Sequence, residues 1–194
     1  MKRSFPEGST PLDPNERKGL LPTSVGTQAE LNAFEQSNIL EAERWALGKR
    51  HRNCLSDGFV RALHRRMFRR VWSWAGTYRT TNKNLGVDWP GVVSEVRKTC
   101  EDASFWIERQ TYGWDELAVR FHHRLVSVHP FPNGNGRHAR LMADVLLNTH
   151  RLEPFSWGST DTLAVPGEVR AAYISALRAA DGRDFRPLLR FVRS

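Results

Sequence analysis

The sequence predicts an all-α domain that carries one short β-hairpin. Apolar residues recur at helical spacings of three and four through most of the 194 residues. Glycine, proline or a capping residue stands at the ends of these stretches, as expected for helix termini. One stretch, WAGTYRTTNKNLGVDWPG, breaks the helical period, and its centre indicates a turn between two short extended segments.

The composition fits a single domain. Hydrophobic residues make up 40% and charged residues 26%, which are ordinary globular values. No run of about 18 apolar residues predicts a transmembrane helix, and the basic start lacks the apolar stretch of a secretory signal. The two cysteines, Cys54 and Cys100, are far apart, so we expect a reduced, cytoplasmic location without disulfides. The net charge of +8 favours polyanionic partners such as nucleotides, nucleic acid or an acidic protein.

The chain divides into an N-terminal arm, residues 1–27, and a helical domain, residues 28–194. The arm is rich in glycine, proline and charge, and its two short apolar spots leave open whether it is loose or attached. Seven helices are expected in the domain. They cover approximately residues 28–48, 56–71, 91–109, 114–129, 137–147, 168–180 and 184–192.

The segment HPFPNGNGRHAR, which begins at His129, carries the chemistry of the chain. Gly134 and Gly136 allow the backbone to approach a ligand closely. They precede a helix whose first N–H groups and dipole favour an anion. Arg137 and Arg140 oppose that dipole unless an anion neutralises them, so the pattern predicts a phosphate site. The imidazole of His129 stands ahead of this site, where it could accept a proton from a hydroxyl.

This segment resembles the signature of the Fic family, HPFx[D/E]GN[G/K]RxxR, and departs from it only at Asn133, where the family has an acidic residue. The stretch WAGTYRTTNKNLGVD is similar to the target-docking flap of that family. The PLDPNE opening, TQAELNAFEQSNILEAERWA and the region around the motif resemble the subfamily called mobile mystery protein B. The resemblance covers residues 10–157.

The resemblance implies a Fic-type helical domain over residues 28–194, with the motif at 129–140 and the flap at about 79–89. It implies transfer of AMP from ATP to a Tyr, Thr or Ser hydroxyl of a target protein, with His129 as general base and Phe131 anchoring the loop. The phosphate-binding residues would be Gly134, Asn135, Gly136, Arg137 and Arg140. The flap that docks the target would comprise Thr80, Thr81, Asn82, Lys83, Asn84, Leu85 and Gly86.

The resemblance also implies a metal ion, Mg²⁺ or Mn²⁺, bound with ATP. The acidic residue of the family helps to hold Mg²⁺, and Asn133 offers a neutral carbonyl oxygen in its place. A neutral ligand binds a hard dication less tightly than a carboxylate. We therefore expect weakened Mg²⁺ binding and better activity with Mn²⁺.

Regulation and partners follow from the same resemblance. Many relatives carry an inhibitory helix, [S/T]xxxE[G/N], whose glutamate pairs with the second motif arginine. The candidates here are Glu41, preceded by Ser37, and Glu30, and one of them is expected to pair with Arg140. The subfamily is encoded beside a helix-turn-helix protein, so an antitoxin-like partner is expected, and a membrane partner is not.

Three other functions stay open at this point. The net charge and the arginines of the second helix suit a nucleic-acid-binding protein, although no helix-turn-helix, zinc-finger or RNP pattern is present. A metal hydrolase could use His122, His123, His129 and His138, but the spacing lacks HExxH. A Fic-type module could also bind nucleotide in a regulatory role without transferring it.

Overall fold

The computed structural model describes residues 10–158, 163 and 167–194. Within these residues the chain forms eight α-helices and one short 3₁₀ turn at Trp89–Gly91, which confirms the all-α prediction. No helix in the described ranges is both long and apolar enough to span a membrane. The helices are α1 (Pro14–Arg17), α2 (Gln28–Leu47), α3 (Asp57–Phe68), α4 (Val92–Glu108), α5 (Trp114–Val128), α6 (Asn135–Thr149), α7 (Glu168–Asp181) and α8 (Arg186–Val192).

Local capping explains where most helices begin. The Ser56 hydroxyl accepts the Phe59 N–H at 3.2 Å and starts α3, as the sequence predicted. Thr27 starts α2 through a capping box with Glu30. Helix α6 begins two residues earlier than expected, because Gly134 takes a left-handed conformation and serves as its N-cap. Helix α1 was not predicted.

Helix α6 lies at the centre of the molecule and packs in two apolar clusters. One cluster joins α6 to α2, α3, α4 and α5, and includes the fully buried Leu63, Phe121 and Met142. The other joins α5 and α6 to α7 and α8, and includes Leu147 and Leu188. Each such large apolar side chain contributes about 1.5–3 kcal/mol when fully buried. The start of α6 is therefore held in a fixed position by core packing.

The described part of the N-terminal arm, residues 10–27, is attached to the domain. Leu20 forms an isolated antiparallel bridge with Trp72. The backbone N–H of Ser73 donates to the carbonyl of Gly19 at 2.8 Å. The partners Trp72 and Ser73 lie in the turns that follow α3. This helix ends at Phe68 and not near residue 71, as the sequence had predicted.

The flap is an irregular loop, and the predicted hairpin is wrong: none of its residues, all of which are described, lies in a β-strand. The guanidinium of Arg79 donates to the carbonyls of Thr81 at 2.9 Å, His129 at 2.7 Å and Val128 at 3.3 Å. It also donates to the carbonyl of Val87. The backbone N–H groups of Arg79 and Val87 donate to the carbonyls of Pro130, at 3.0 Å, and Val128, at 3.4 Å, and not to each other's side of the expected turn. The flap is thereby joined to the end of α5.

Candidate active site

The loop between α5 and α6 is a rigid turn closed by its own residues. Helix α5 ends at Val128, its C-cap His129 adopts a left-handed conformation with φ of 53°, and Pro130 cannot continue the helix. The side-chain amide of Asn135 accepts the Phe131 N–H at 2.9 Å and donates to the Phe131 carbonyl at 2.8 Å. This pair of hydrogen bonds fixes the chain on both sides of the turn.

Phe131 anchors this loop in the core, at the place where the resemblance put an anchor. Its fully buried ring stacks on His64 with centroids 3.7 Å apart and meets the edge of His138 at 5.1 Å. The Nδ1 atom of His64 accepts the Gly76 N–H at 3.0 Å, so its Nε2 donates to the carbonyl of Asn133 at 3.1 Å. Burial keeps the pKa of His64 well below its usual range, which fits this neutral form. Sequence analysis had assigned no role to His64.

The start of α6 presents backbone donors to a ligand. Gly134 has a φ of +79°, and a Cβ there would lie 2.5 Å from the ring of Phe68, so only glycine fits. Its N–H donates to the Asn133 side chain at 2.6 Å. Among the described residues, no acceptor engages the N–H groups of Asn135, Gly136 and Arg137. Together with the helix dipole, these three groups could receive an anion.

This arrangement corrects one expectation. The Asn135 side chain was expected to hold phosphate oxygens, but it is buried and both of its polar atoms bond the backbone of Phe131. Only the backbone N–H of Asn135 remains for a phosphate. Gly136 needs no special conformation, and the space beside its Cα stays open.

The imidazole of His129 faces a hydroxyl group of the chain itself. Its Nε2 lies 2.9 Å from the hydroxyl oxygen of Thr10. Burial, with the positive charges of Arg79 and Lys83, lowers the pKa of His129 to about 4, and a hydrogen bond to the Val126 backbone opposes this in part. In the tautomer that carries its hydrogen on Nδ1, the lone pair of Nε2 faces the Thr10 hydroxyl. At neutral pH the ring is uncharged and can accept a proton.

The two motif arginines have different neighbours. Arg137 donates to Glu35 on α2 at 2.7 Å, and the side chain of Glu35 is only 7% exposed. The second carboxylate oxygen of Glu35 accepts the indole N–H of Trp72 at 2.7 Å. The guanidinium of Arg140 lies 5.5 Å from the ring centre of Tyr173 on α7. A buried carboxylate therefore stands beside the predicted phosphate site.

The expectation that Glu30 or Glu41 pairs with Arg140 is wrong. Glu30 accepts the backbone N–H groups of Gly26 and Thr27, each at 2.9 Å, and so caps α2. Glu41 is exposed and pairs at 2.7 Å with Arg70, which lies just after α3.

The sequence did contain a signal for Glu35. It lies seven residues before the buried Ala42, on the inward face of α2, and a carboxylate there must find a partner. That partner, Arg137, is the first motif arginine and not the second.

The flap lies between the N-terminal arm and His129. Lys83 is nearly buried, with 5% of its side chain exposed, and forms ion pairs with Glu16 and, at 3.6 Å, with Asp13 of the arm. Gly86, with φ of +103°, packs so closely that a Cβ would lie 2.7 Å from the Cβ of His129. Asn82 bonds Asp88 at 3.0 Å within the flap. The remaining flap residues Thr80, Thr81, Asn84 and Leu85 are exposed.

The loop residues do not by themselves fit a Mg²⁺ site. The side-chain oxygen of Asn133 accepts the Gly134 N–H and lies 3.5 Å from a guanidinium nitrogen of Arg137. Its amide nitrogen donates to the Thr10 carbonyl at 3.2 Å. Within the described ranges, no group of three His, Cys, Asp or Glu side chains could hold a metal ion.

The histidines that suggested a metal hydrolase and the arginines that suggested nucleic-acid binding make contacts within the molecule. His122 bonds Tyr173, His123 bonds Asp181 and His138 bonds the Val60 carbonyl, so these histidines do not converge on one ion. On α3, Arg61 donates to the Gly76 carbonyl and Arg66 covers the ring of Trp45. Just after α3, Arg70 pairs with Glu41. Much of the basic face of α3 is thus used within the molecule.

The chain is similar to known proteins in sequence and in fold. Protein adenylyltransferase fic-1 of Caenorhabditis briggsae is 32% identical over 150 residues, which is 75% of this chain and 28% of that protein. A Fic-1 fragment from C. elegans has a TM-score of 0.65 at 26% identity and covers 91% of this chain and 51% of that chain. BepC of Bartonella tribocorum with bound AMPPNP has a TM-score of 0.66 at 14% identity, covers 92% of this chain and 95% of that chain, and shares the fold.

This chain spans only about a quarter of the length of the curated relative just described. The Fic/DOC family model matches the segment from α3 through most of α6, which contains the whole loop. The match to the Fic/DOC family thus covers residues 54–147, just under half of this chain.

Proposed function

We propose that this chain is a protein adenylyltransferase that moves AMP from ATP to a hydroxyl group of a target protein. The observation that carries the proposal is the uncharged imidazole of His129. Its Nε2 lies 2.9 Å from the Thr10 hydroxyl, in the loop that leads into the proposed anion site at the start of α6. Base, hydroxyl and phosphate site thus lie in the order that the reaction needs. The names of the relatives, protein adenylyltransferases, support the same activity.

In the proposed reaction, a Tyr, Thr or Ser hydroxyl of the target gives its proton to Nε2 of His129. The oxygen forms a bond to the α-phosphorus, and the bond from that phosphorus to the bridging oxygen breaks. Pyrophosphate leaves with the electron pair of the broken bond. The low pKa of His129 keeps the base unprotonated across the physiological range.

The start of α6 would hold the phosphates. The free N–H groups of Asn135, Gly136 and Arg137 would donate to phosphate oxygens, and the side chains of Arg137 and Arg140 would neutralise the departing pyrophosphate. The fixed position of α6 means that these groups need little reorganisation when the nucleotide binds.

We infer that Glu35 inhibits the reaction. Its carboxylate takes the position at Arg137 that a phosphate oxygen would need, 2.7 Å from the guanidinium. The nucleotide must displace this carboxylate before Arg137 can act on the leaving group. This extends the inhibitory-glutamate pattern of the family to a residue that pairs with the first motif arginine.

Any metal would enter as part of the substrate, as Mg–ATP or Mn–ATP. The neutral side chain of Asn133 adds little affinity for a dication, so the triphosphate would supply most of the ligands. ATP is supported by the adenylyltransferase names of the relatives and by the AMPPNP bound to the BepC neighbour.

The resemblance to mobile mystery protein B supports three finer proposals. We propose that the chain acts in the cytoplasm, that it has a helix-turn-helix partner, and that the pair is arranged like a toxin and its antitoxin. If a helix-turn-helix protein is encoded beside this chain, its co-purification with the chain, compared with that of an unrelated helix-turn-helix protein, tests the pairing. Equal recovery of both would contradict it.

A second candidate is a regulatory module that binds nucleotide without transferring it. It is favoured by two observations: Asn133 replaces the usual acidic residue, and Glu35 occupies Arg137. Such a module would bind ATP through Arg137 and leave the α-phosphate intact.

The test uses purified protein with α-³²P-ATP or γ-³²P-ATP, with Mg²⁺ or Mn²⁺, alone and with a bacterial lysate. Label from the α position that is lost in His129→Ala and retained in His150→Ala, an exposed histidine at the other end of α6, supports nucleotidyl transfer. Label from the γ position contradicts it and indicates a kinase-like reaction. ATP binding without label, even when Glu35 is replaced, supports the regulatory module.

A further inference from the structure

The N-terminal arm places a hydroxyl of the chain itself against the base. Thr10 is buried, with 8% of its surface exposed, and its Oγ1 lies 2.9 Å from Nε2 of His129. Its carbonyl oxygen accepts the side-chain N–H of Asn133 at 3.2 Å. Thr10 therefore touches the motif loop through both its side chain and its backbone, in the position that a substrate hydroxyl would take.

Contacts with the flap hold the arm in this place. Asp13 caps α1 and forms an ion pair with Lys83 at 3.6 Å. Glu16 forms a second ion pair with the same ammonium group. The indole N–H of Trp74 donates to the carbonyl of Glu16 at 3.0 Å. Because Lys83 is nearly buried, salt screens these pairs less than it screens surface pairs. The arm thus binds the same two structures, flap and motif loop, that the proposed function assigns to a target.

We propose that Thr10 is an intramolecular substrate and that the domain transfers AMP to its own N-terminal arm. This inference rests on the proposed function. The Thr10 oxygen forms a bond to the α-phosphorus of ATP, its proton passes to Nε2 of His129, and pyrophosphate leaves with the electrons of the broken bond. Until the arm moves away, Thr10 also competes with any target hydroxyl for the same base.

Peptide mapping by mass spectrometry after incubation with ATP locates the modification. We expect one AMP on Thr10, in the wild type and more rapidly in Glu35→Gln. Thr10→Ser keeps the hydroxyl and should keep the modification at that position. Thr10→Val keeps the branched shape without the hydroxyl, and should lower self-labelling at least tenfold. Thr23→Val, the same change at an exposed position of the arm, should leave it unchanged.

Two further measurements separate an intramolecular reaction from one between molecules. The first-order rate of self-labelling should not change when the protein is diluted tenfold. Lys83→Ala should slow self-labelling, because the arm loses its ion pairs with the flap, whereas Lys98→Ala, at an exposed position of α4, should not. A rate that rises in proportion to protein concentration would contradict the intramolecular reaction.

The outcomes distinguish this inference from the function on which it rests. AMP on lysate proteins or on another residue of this chain, with Thr10 unmodified, would overturn the inference and leave the adenylyltransferase proposal in place. Equal labelling in Thr10→Val and the wild type would do the same. No AMP transfer to any acceptor, in the wild type and in Glu35→Gln, would overturn both.

Discussion

The ion pair between Glu35 and Arg137 gives the sharpest prediction about activity. Replacing Glu35 by Gln removes the charge that competes with a phosphate for the guanidinium, and the two side chains now lie 2.7 Å apart. A hydrogen bond to a charged group contributes about 1.5–3 kcal/mol, and about 1.4 kcal/mol corresponds to a factor of ten in affinity. Since Arg137 is a quarter exposed, solvent reduces this value. We expect ATP to bind roughly tenfold more tightly, with about a hundredfold as the upper limit.

Glutamine is the informative substitution at position 35. Its side-chain oxygen can still accept the indole N–H of Trp72, which now donates to the carboxylate at 2.7 Å. Alanine would leave that buried N–H without an acceptor, at a cost of about 1–3 kcal/mol. A fall in stability would then be confused with the effect on the nucleotide.

Isothermal titration with ATP measures the affinity, and transfer from α-³²P-ATP measures the activity. Glu41→Gln is the matched control, because it removes a carboxylate of the same helix that pairs with an arginine on the surface. The inhibitory role of Glu35 is refuted if Glu35→Gln and Glu41→Gln agree within twofold in both measurements. Unfolding of each variant by urea confirms that the comparison is between equally folded proteins.

Three other predictions concern stability and metal dependence. Gly134→Ala should destabilise the fold by about 2–4 kcal/mol in urea, from its left-handed φ and its contact with Phe68, whereas Gly136→Ala should not. Burial lowers the pKa of His138 to about 4, so the unfolded chain takes up a proton first, and stability falls as the pH drops from about 6.5 towards 4. His138→Gln should reduce the loss between pH 7 and pH 5 by about 2 kcal/mol, and an unchanged loss would contradict this. Asn133→Glu should lower the Mg²⁺ concentration needed for half-maximal transfer, and identical titrations would show that this side chain does not face the metal.

The sequence predicts the helices well because their signals are local. The stripe from Trp114 to Val128 and the Ser56 cap each lie within one element, and the structure has both where they were expected. The prediction of a hairpin in the flap was wrong because the contacts that shape this loop are not local. The side chain of Arg79 satisfies carbonyls up to 50 residues away, and no local pattern announces such a contact. Extended residues flanking an Asn-rich turn therefore resembled a hairpin that the chain does not form.

In the candidate site, too, contacts between neighbouring residues could be predicted and contacts between distant residues could not. The motif loop, its anchor and the start of α6 come from twelve consecutive residues, so their arrangement could be expected from the sequence. Glu35 lies 102 residues from Arg137 and Thr10 lies 119 residues from His129. Only the packing of α2 and the course of the arm bring these pairs together, and hydrophobic periodicity does not encode that course. A carboxylate on an inward helical face was a usable signal, and a threonine in a Pro-rich arm was not.

The contact between Glu35 and Arg137 also explains how the site can fold without a ligand. Two arginines at a helix N-terminus oppose the dipole, and a nearby anion offsets that cost. The carboxylate of Glu35 is that anion in the folded chain, 2.7 Å from Arg137. Nucleotide binding is then an exchange of one anion for another, so the affinity depends on the difference between two favourable interactions. Changes in α2 can therefore tune activity over a wide range while the motif loop, which holds the base and the phosphate donors, stays unchanged.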